Sequence, residues 1–364
     1  MIIGAGCSKN YSQSTSKIAG LTSPLDQDFF QMAKKVILHG QIGPDLAMMT
    51  GDLIRELHRL YGYEQFDVRS GIYSPDGERF LQVLDDERLS LEKVMTQLSL
   101  ESEIFVRIPP LFGYQHSANA INFTGSSLAP LIELVAVTIS KALEGPPCSK
   151  HQKLAGSLKK GDMVMSFNYD ILMDNALRYS GMLTDCGYLV PFQQVNDGQK
   201  WTRSDDAPSS VLLLKLHGSM NWLHCFYCGS RFLMRSEKMG AWYTSIPREC
   251  PNCKMSAAYL ERVIIPPLLT KNYSDQPINY LWEEASRRLS KIREIVVIGY
   301  SFPPTDFATE TLFRIGLPWA SQKKIRFTVV NPDQEVFYRL SKAFCGSEVE
   351  WVTSLEKYLD RGFD

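Results

Sequence analysis

Short apolar runs, most of them followed by a helical pattern, recur through the second half of this chain. DMVMSF (162–167) leads into DILMDNALRYS, EIVVIGYS (294–301) leads to DFATETLFRIGL, and KIRFTVVN (324–331) to QEVFYRLSKAF. VLLLKLH (211–217) and RVIIPP (262–267) are further runs, and EVEWV (348–352) closes the series. Runs of this length are too short for buried helices, and only KIRFTVVN and EVEWV among them alternate with polar residues. They therefore predict strands buried on both faces, and strands alternating with helices predict a parallel sheet covered on both sides. The expected architecture is three-layer α/β.

Residues 40–160 break this rhythm. DLIRELHRLYG, LEKVMTQLSLESEIF and SSLAPLIELVAVTISKALEG have helical spacing, with the polar stretch PPLFGYQHSANAINFTGSS between the last two. LAPLIELVAVTI (128–139) is apolar on more than one face and is expected to be buried. The segment reads as a helical insertion that divides the sheet domain into 1–39, 161–220 and 262–364, with a small module at 221–261 between the last two. With 364 residues, 44% hydrophobic and 22% charged, the chain has ample material for such a core. A net charge of −1 gives no general attraction to nucleic acid or anionic lipid. No run approaches the ~20 apolar residues of a membrane span, and no signal peptide opens the sequence, so the expected compartment is the cytoplasm.

The module at 221–261 is set by its cysteines. Cys225 and Cys228 form one CxxC pair, Cys250 and Cys253 another, with 21 residues between the pairs. The knuckles CFYCGS and CPNCKM each supply a tight turn, and the spacing is that of a zinc ribbon. Four thiolates leave no open coordination position, so the zinc is expected to be structural. Cys7, Cys148, Cys186 and Cys345 are scattered, as buried small hydrophobes are.

Ligands of open parallel sheets bind beyond the carboxyl ends of the strands. Gly4-Ala5-Gly6-Cys7-Ser8 follows the first run, Asn168-Tyr169-Asp170 the second, His217-Gly218-Ser219 the third, Gly299-Tyr300-Ser301 and Asn331-Pro332-Asp333 later ones. Five strand ends with small or hydrogen-bonding residues favour one polar ligand lying across the sheet edge. Gly-Ala-Gly permits close approach of an anion, or is a plain turn; the position three after Gly6 is Lys9, so the dinucleotide fingerprint G-x-G-x-x-G is incomplete. His217 can serve as a general base near neutral pH or as a turn histidine bonded to backbone. Asp170 can act in chemistry or cap the following helix. Only Met1, Ile2 and Ile3 precede the first turn, against ~5–6 residues in a typical strand, so the first strand is short or begins ahead of this sequence.

In order and spacing these motifs resemble the sirtuin family. GAGCS comes first, FNYD stands where sirtuins carry Gln-Asn-x-Asp, LHGS follows, the first CxxC comes six residues after His-Gly, IGYS stands at the Gly-Thr-Ser position, and VVNPD ends a strand in Asn. The resemblance implies a Rossmann-like domain that binds NAD+ as a substrate. Gly4, Ala5, Gly6 and Ser8 would line its phosphates, Asn168 and Asp170 would hold the nicotinamide ribose, His217 would be the base, and Gly299, Tyr300, Ser301 and Asn331 would contact the far ribose or adenine. The Phe-Gly-Glu of protein deacylases is absent, VIIPPLLTKNYSD standing in that region, and Phe167 replaces the glutamine before Asn168. FNYD, LHGSMNWL, IIPP and GYSF-x3-D are closer to the sirtuin-like domains of bacterial anti-phage proteins, which hydrolyse NAD+ to nicotinamide and ADP-ribose. The expected activity is therefore NAD+ glycohydrolysis, with Asn168, His217 and Asp170 as catalytic residues. NAD-dependent deacylation and a non-catalytic NAD or ADP-ribose module are the alternatives. A homo-oligomer through the helical insertion and a defence-system partner belong to the same expectation.

Overall fold

The computed structural model describes residues 1–9, 11–63, 71–105, 128–198, 200–235, 247, 249–256, 260–267, 277–303, 306–317, 325–344 and 348–362. The polar stretch before Leu128, most of the segment after Ile264 that replaces Phe-Gly-Glu, and Cys345 lie outside them.

The apolar runs assemble as the alternation predicts. Strands β1 (Ile2–Ile3), β2 (Met163–Ser166), β5 (Leu212–Lys215), β9 (Glu294–Ile298), β10 (Arg326–Val330) and β11 (Glu348–Val352) form one parallel six-stranded sheet, ordered β11-β10-β9-β1-β2-β5. Every residue of β2 is buried, so both faces of the sheet are covered. Of the helices, α7 (Ser149–Gly156) packs on α8 (Leu172–Tyr179), and α9 (Ile278–Leu289) on α10 (Phe307–Gly316). Read from the other edge, the strands run third, second, first, fourth, fifth, sixth in chain order, the doubly wound arrangement. The order reverses between β1 and β9, and in such sheets that crevice holds the ligand.

A second sheet was not foreseen. β3 (Gln194–Asn196), β4 (Trp201–Arg203), β6 (Gly218–Cys225), β7 (Arg231–Met234) and β8 (Leu260–Ile264) form a mostly antiparallel five-stranded sheet ordered β4-β3-β7-β6-β8. RVIIPP, read with the parallel strands, thus lies largely in β8, antiparallel to β6. The cause is local. Gly218 has φ +75° and a Cβ there would lie 2.1 Å from the Val263 carbonyl oxygen. This left-handed turn, open only to glycine at that spacing, carries the chain out of the parallel sheet immediately after His217.

Helices α2 (Phe29–Leu38), α3 (Pro44–Tyr61), α4 (Gly77–Phe80), α5 (Leu91–Phe105) and α6 (Leu128–Ala142) contribute to a separate apolar core containing Phe29, Leu57, Phe80 and Leu134. α6 is buried around much of its circumference, as its composition predicts: Leu131, Leu134, Val135, Ala136, Val137 and Ile139 are all inside. α2, read from sequence with the first part of the sheet domain, places its apolar face in this helical core. The lobe is tied to the second sheet by Arg262, whose Nε and Nη2 donate to Glu133 at 2.7 and 3.0 Å.

β1 is only two residues long but is paired on both sides, with Ile3 opposite Ser166 and Ile298. Its glycines extend that pairing. Gly4 N–H donates to the Ile298 carbonyl at 3.0 Å and Gly6 N–H to the Gly299 carbonyl at 2.8 Å. A Cβ on Gly299, whose φ is +61°, would sit 2.1 Å from the Cys7 nitrogen. Gly299→Ala is therefore expected to cost several kcal/mol, from the left-handed strain and the backbone clash together. A fall of the thermal midpoint measures it; an unchanged midpoint would mean the two strand ends are not held in this contact.

Candidate active site

The sheet register puts the predicted residues on one edge. Ser166 pairs with Lys215, so Asn168 and His217 each lie two residues beyond a matched pair on neighbouring strands. Gly4 and Gly299 follow Ile3 and Ile298, themselves partners, and Asn331 follows Val330, the partner of Ile298. The order along the edge is Asn331, Gly299, Gly4, Asn168, His217. Four inter-strand steps of ~4.8 Å give a line of about 19 Å.

Asn168, Ser8 and Asp170 form a buried relay. Asn168 Nδ2 donates to Ser8 Oγ at 3.1 Å, and Ser8 Oγ donates to Asp170 Oδ2 at 2.7 Å. Asp170 Oδ1 accepts from the Leu172 amide at 2.9 Å. Asp170 thus caps the start of α8 and holds Ser8 at once. The relay fixes the asparagine amide. A carboxylate only accepts, so the single hydroxyl proton of Ser8 goes to Asp170, and Ser8 must accept from the Asn168 NH2 group. Asn168 Oδ1 then faces away from Ser8. It is buried, on a residue only 5% exposed, and has no hydrogen-bond partner among the described residues. A buried acceptor without a donor costs free energy unless a ligand or water supplies one.

His217 is 8% exposed and stands among aromatic rings. Its ring centroid is 5.1 Å from Phe167 in an edge-to-face arrangement, 6.3 Å from Trp282 and 6.5 Å from Tyr169. Phe167 in turn stacks on Tyr300 at 4.4 Å, and the Tyr300 hydroxyl donates to Asp306, which accounts for the aspartate of GYSF-x3-D. The Trp282 indole N–H donates to the Leu216 carbonyl at 2.8 Å, fixing that ring beside the histidine.

The other predicted residues are placed differently from one another. Ala5 and Gly6 are exposed at the lip of the crevice, while the Gly4 and Gly6 amides are engaged by the carbonyls of Ile298 and Gly299. Ser8 lies in the relay, 1% exposed. The Tyr300 side chain is in the core beneath Phe167. Ser301 is exposed, and its carbonyl accepts from Arg339 at 2.9 Å. Asn331 lies at the far end of the edge; its Oδ1 accepts from the Asp333 amide at 2.9 Å and its Nδ2 faces the Tyr300 carbonyl at 3.5 Å. An apolar surface groove of about 660 Å³ between α9 and α10 is bordered by Trp282 and Phe307 and does not include Asn168 or His217.

Beside the relay lies a trio that sequence spacing could not reveal. His151 Nε2 is 3.5 Å from Cys7 Sγ, and its Nδ1 is 3.1 Å from Cys148 Sγ. Burial pushes the imidazole down to about 4, so it is neutral at physiological pH, and burial with the nearby Asp170 charge raises the Cys7 thiol. Both thiols are buried, and burial raises Cys148 as well.

The four paired cysteines converge. Their sulfurs all lie within 4.8 Å of one another, with Cys225–Cys253 at 3.9 Å and Cys228–Cys250 at 3.7 Å. A tetrahedral zinc with Zn–S of ~2.3 Å requires sulfurs ~3.8 Å apart. Each knuckle ends in a left-handed residue directly after its second cysteine, Gly229 at φ +70° and Lys254 at φ +64°. The site fits a structural zinc ion, held by Cys225, Cys228, Cys250 and Cys253.

No protein-family model and no curated protein matches the chain. Among solved structures, it is similar to a Sir2 homologue in complex with NAD, at 17% identity over 63% of this chain and 70% of that one, TM-score 0.37. It is similar to a serine-to-alanine variant of a Sir2 homologue with ADP-ribose, at 18% over 73% and 86%, TM-score 0.39. A Sir2 complex with a p53 peptide and NAD+ is 15% identical over 72% and 87%, TM-score 0.35. Among the described residues, no helix is long and apolar enough to cross a membrane.

Proposed function

We propose that this protein cleaves NAD+ at the nicotinamide–ribose bond, using water as the acceptor and releasing nicotinamide and ADP-ribose. The observation that carries this reading is the buried, oriented Oδ1 of Asn168, an acceptor with no partner among the described residues that calls for a ligand hydroxyl or water. Asn168 and His217 follow neighbouring strands, and Asn168 is one strand from the crevice where the sheet order reverses. The line of strand ends is long enough for a dinucleotide, with the adenosine half toward Asn331 and the nicotinamide half toward His217.

Nicotinamide already carries positive charge and leaves neutral, taking the electron pair of the broken C–N bond. The ribose becomes oxocarbenium-like. Asn168 Oδ1 accepts from a ribose hydroxyl and holds that ring in place. Water adds to the cationic carbon, and His217 takes the proton released. Asp170 acts through Ser8, keeping the Asn168 amide in the orientation that presents its oxygen.

The second reading, NAD-dependent deacylation, is favoured by the complete thiolate site, whose first ligand, Cys225, ends the strand that starts directly after His217. Against it, Phe167 and Trp282 pack close to His217, a crowding that suits water better than an acyl chain. The motif resemblance to defence proteins supports a role in depleting NAD+ during phage infection, and assembly through the helical lobe belongs to the same reading.

Incubation with NAD+, with and without an acetylated peptide, separates these readings. ADP-ribose without peptide is expected, and His217→Ala should slow its formation about 100-fold or more. O-acetyl-ADP-ribose formed only with peptide would establish a deacylase. NAD+ binding with no turnover, or wild-type turnover by His217→Ala, would overturn the proposed mechanism.

A further inference from the structure

Lys215 is the charged residue of the apolar run VLLLKLH, and its side chain is wholly buried. Its Nζ donates to two acceptors, the backbone carbonyl of Asp170 and Asp174 Oδ2, the latter at 3.1 Å. Asp174 also accepts from the Tyr188 hydroxyl at 2.7 Å. Tyr188 is itself fully buried, and the Arg178 guanidinium lies 5.4 Å from its ring centre. A buried lysine–aspartate pair loses several kcal/mol of hydration per ion, and well-packed apolar side chains generally serve stability as well or better. At the end of a strand of leucines, packing alone would be met by another leucine or a methionine.

What the ammonium does that an apolar residue cannot is grip a backbone carbonyl. That carbonyl belongs to Asp170, whose carboxylate fixes Ser8 and through it Asn168. Residues 167–171 lie between the end of β2 and the start of α8: the Phe167 amide still donates to Ile3, the Ile171 carbonyl already accepts from Asn175, and the Tyr169 carbonyl accepts from Met220, which leaves the Asp170 carbonyl to Lys215. We propose that Lys215, held by Asp174, is a positioning residue that sets the Asn168–Asp170 turn and thereby aims Asn168 Oδ1. This inference rests on the reading of Asn168 as the anchor of the ligand, but the placement of the turn can be measured without any ligand.

The test is the double variant Lys215→Met with Asp174→Asn in the full-length protein. Removing both charges avoids leaving one of them buried and unpaired, which could unfold the single variants. Thermal melting establishes that the double variant is folded. Amide hydrogen exchange is then compared across the chain in the absence of NAD+. Exchange in residues 168–172 should accelerate about tenfold or more, while β2, β5 and β9 keep their protection. kcat/KM for NAD+ should fall about 100-fold, the scale of a small misplacement of a binding group. Unchanged exchange in 168–172 would overturn the proposal whatever the enzyme does. Faster exchange with wild-type turnover would overturn the functional half, leaving a purely structural lysine. If the wild-type protein does not cleave NAD+, the function proposed above falls, and the exchange result still decides whether Lys215 places the turn.

Discussion

Asn168→Ala is expected to lower NAD+ cleavage by about 10²–10³-fold while leaving the protein folded. The magnitude is that of removing one oriented polar group from a reacting centre. The direction follows from satisfaction of polar groups. In the wild type the Asn168 acceptor is buried with no partner among the described residues, a cost that a ribose hydroxyl would relieve. Alanine removes both the acceptor and its cost, so melting temperature should hold or rise as turnover collapses. Ser8→Ala gives the matching control. It leaves the Asn168 amide in place but cuts the relay to Asp170, so its loss of turnover should be smaller. Melting curves and initial rates on the three proteins check this. Wild-type rates in Asn168→Ala would remove the amide from the mechanism.

Cys250→Ser is expected to abolish zinc binding and to lower the thermal midpoint by more than about 10 °C. Cys250 is fully buried and packs with Leu223, Phe232 and Leu260 in the small core under the second sheet. Zinc held by four thiolates contributes on the order of 10 kcal/mol to a small metal-organised core. Among the described residues, few other apolar side chains are present there to replace it. Elemental analysis should give one zinc per wild-type chain and none in the variant. Stable protein without zinc would show that the knuckles close by packing alone.

The parallel sheet was legible because most of its strands are apolar runs separated by helical patterns, the arrangement that favours parallel pairing. The five strand ends followed from the same logic. The second sheet was not legible, since GSMNWLHC mixes polar and apolar residues and several of its polar side chains bond within the core. Ser219 Oγ donates to Asn221 Oδ1 at 2.6 Å, and Asn221 Nδ2 to the Met234 carbonyl at 2.9 Å. Such pairs cannot be read from composition. In the site, residue types were visible but their partners were not. Ser8 belongs with Asn168 and Asp170 by contact across 160 residues, where spacing suggested phosphate. Lys215 and Asp174 were hidden because a single lysine in a leucine strand and an aspartate in a helix each look like surface residues. Phe167 and Trp282 look like ordinary core until their distances to His217 are known.

β6 begins directly after His217 and ends on the first metal ligand, and its side chains enter all three apolar cores. Met220 belongs to the helical one, Trp222 to that of the parallel sheet, and Leu223 with Cys225 to the one beside the cysteines. A single strand is thus a common wall of three compartments. Cutting the chain at its midpoint would open all of them. Unfolding should be cooperative across the molecule, and a disturbance at the thiolates reaches the histidine along one extended backbone.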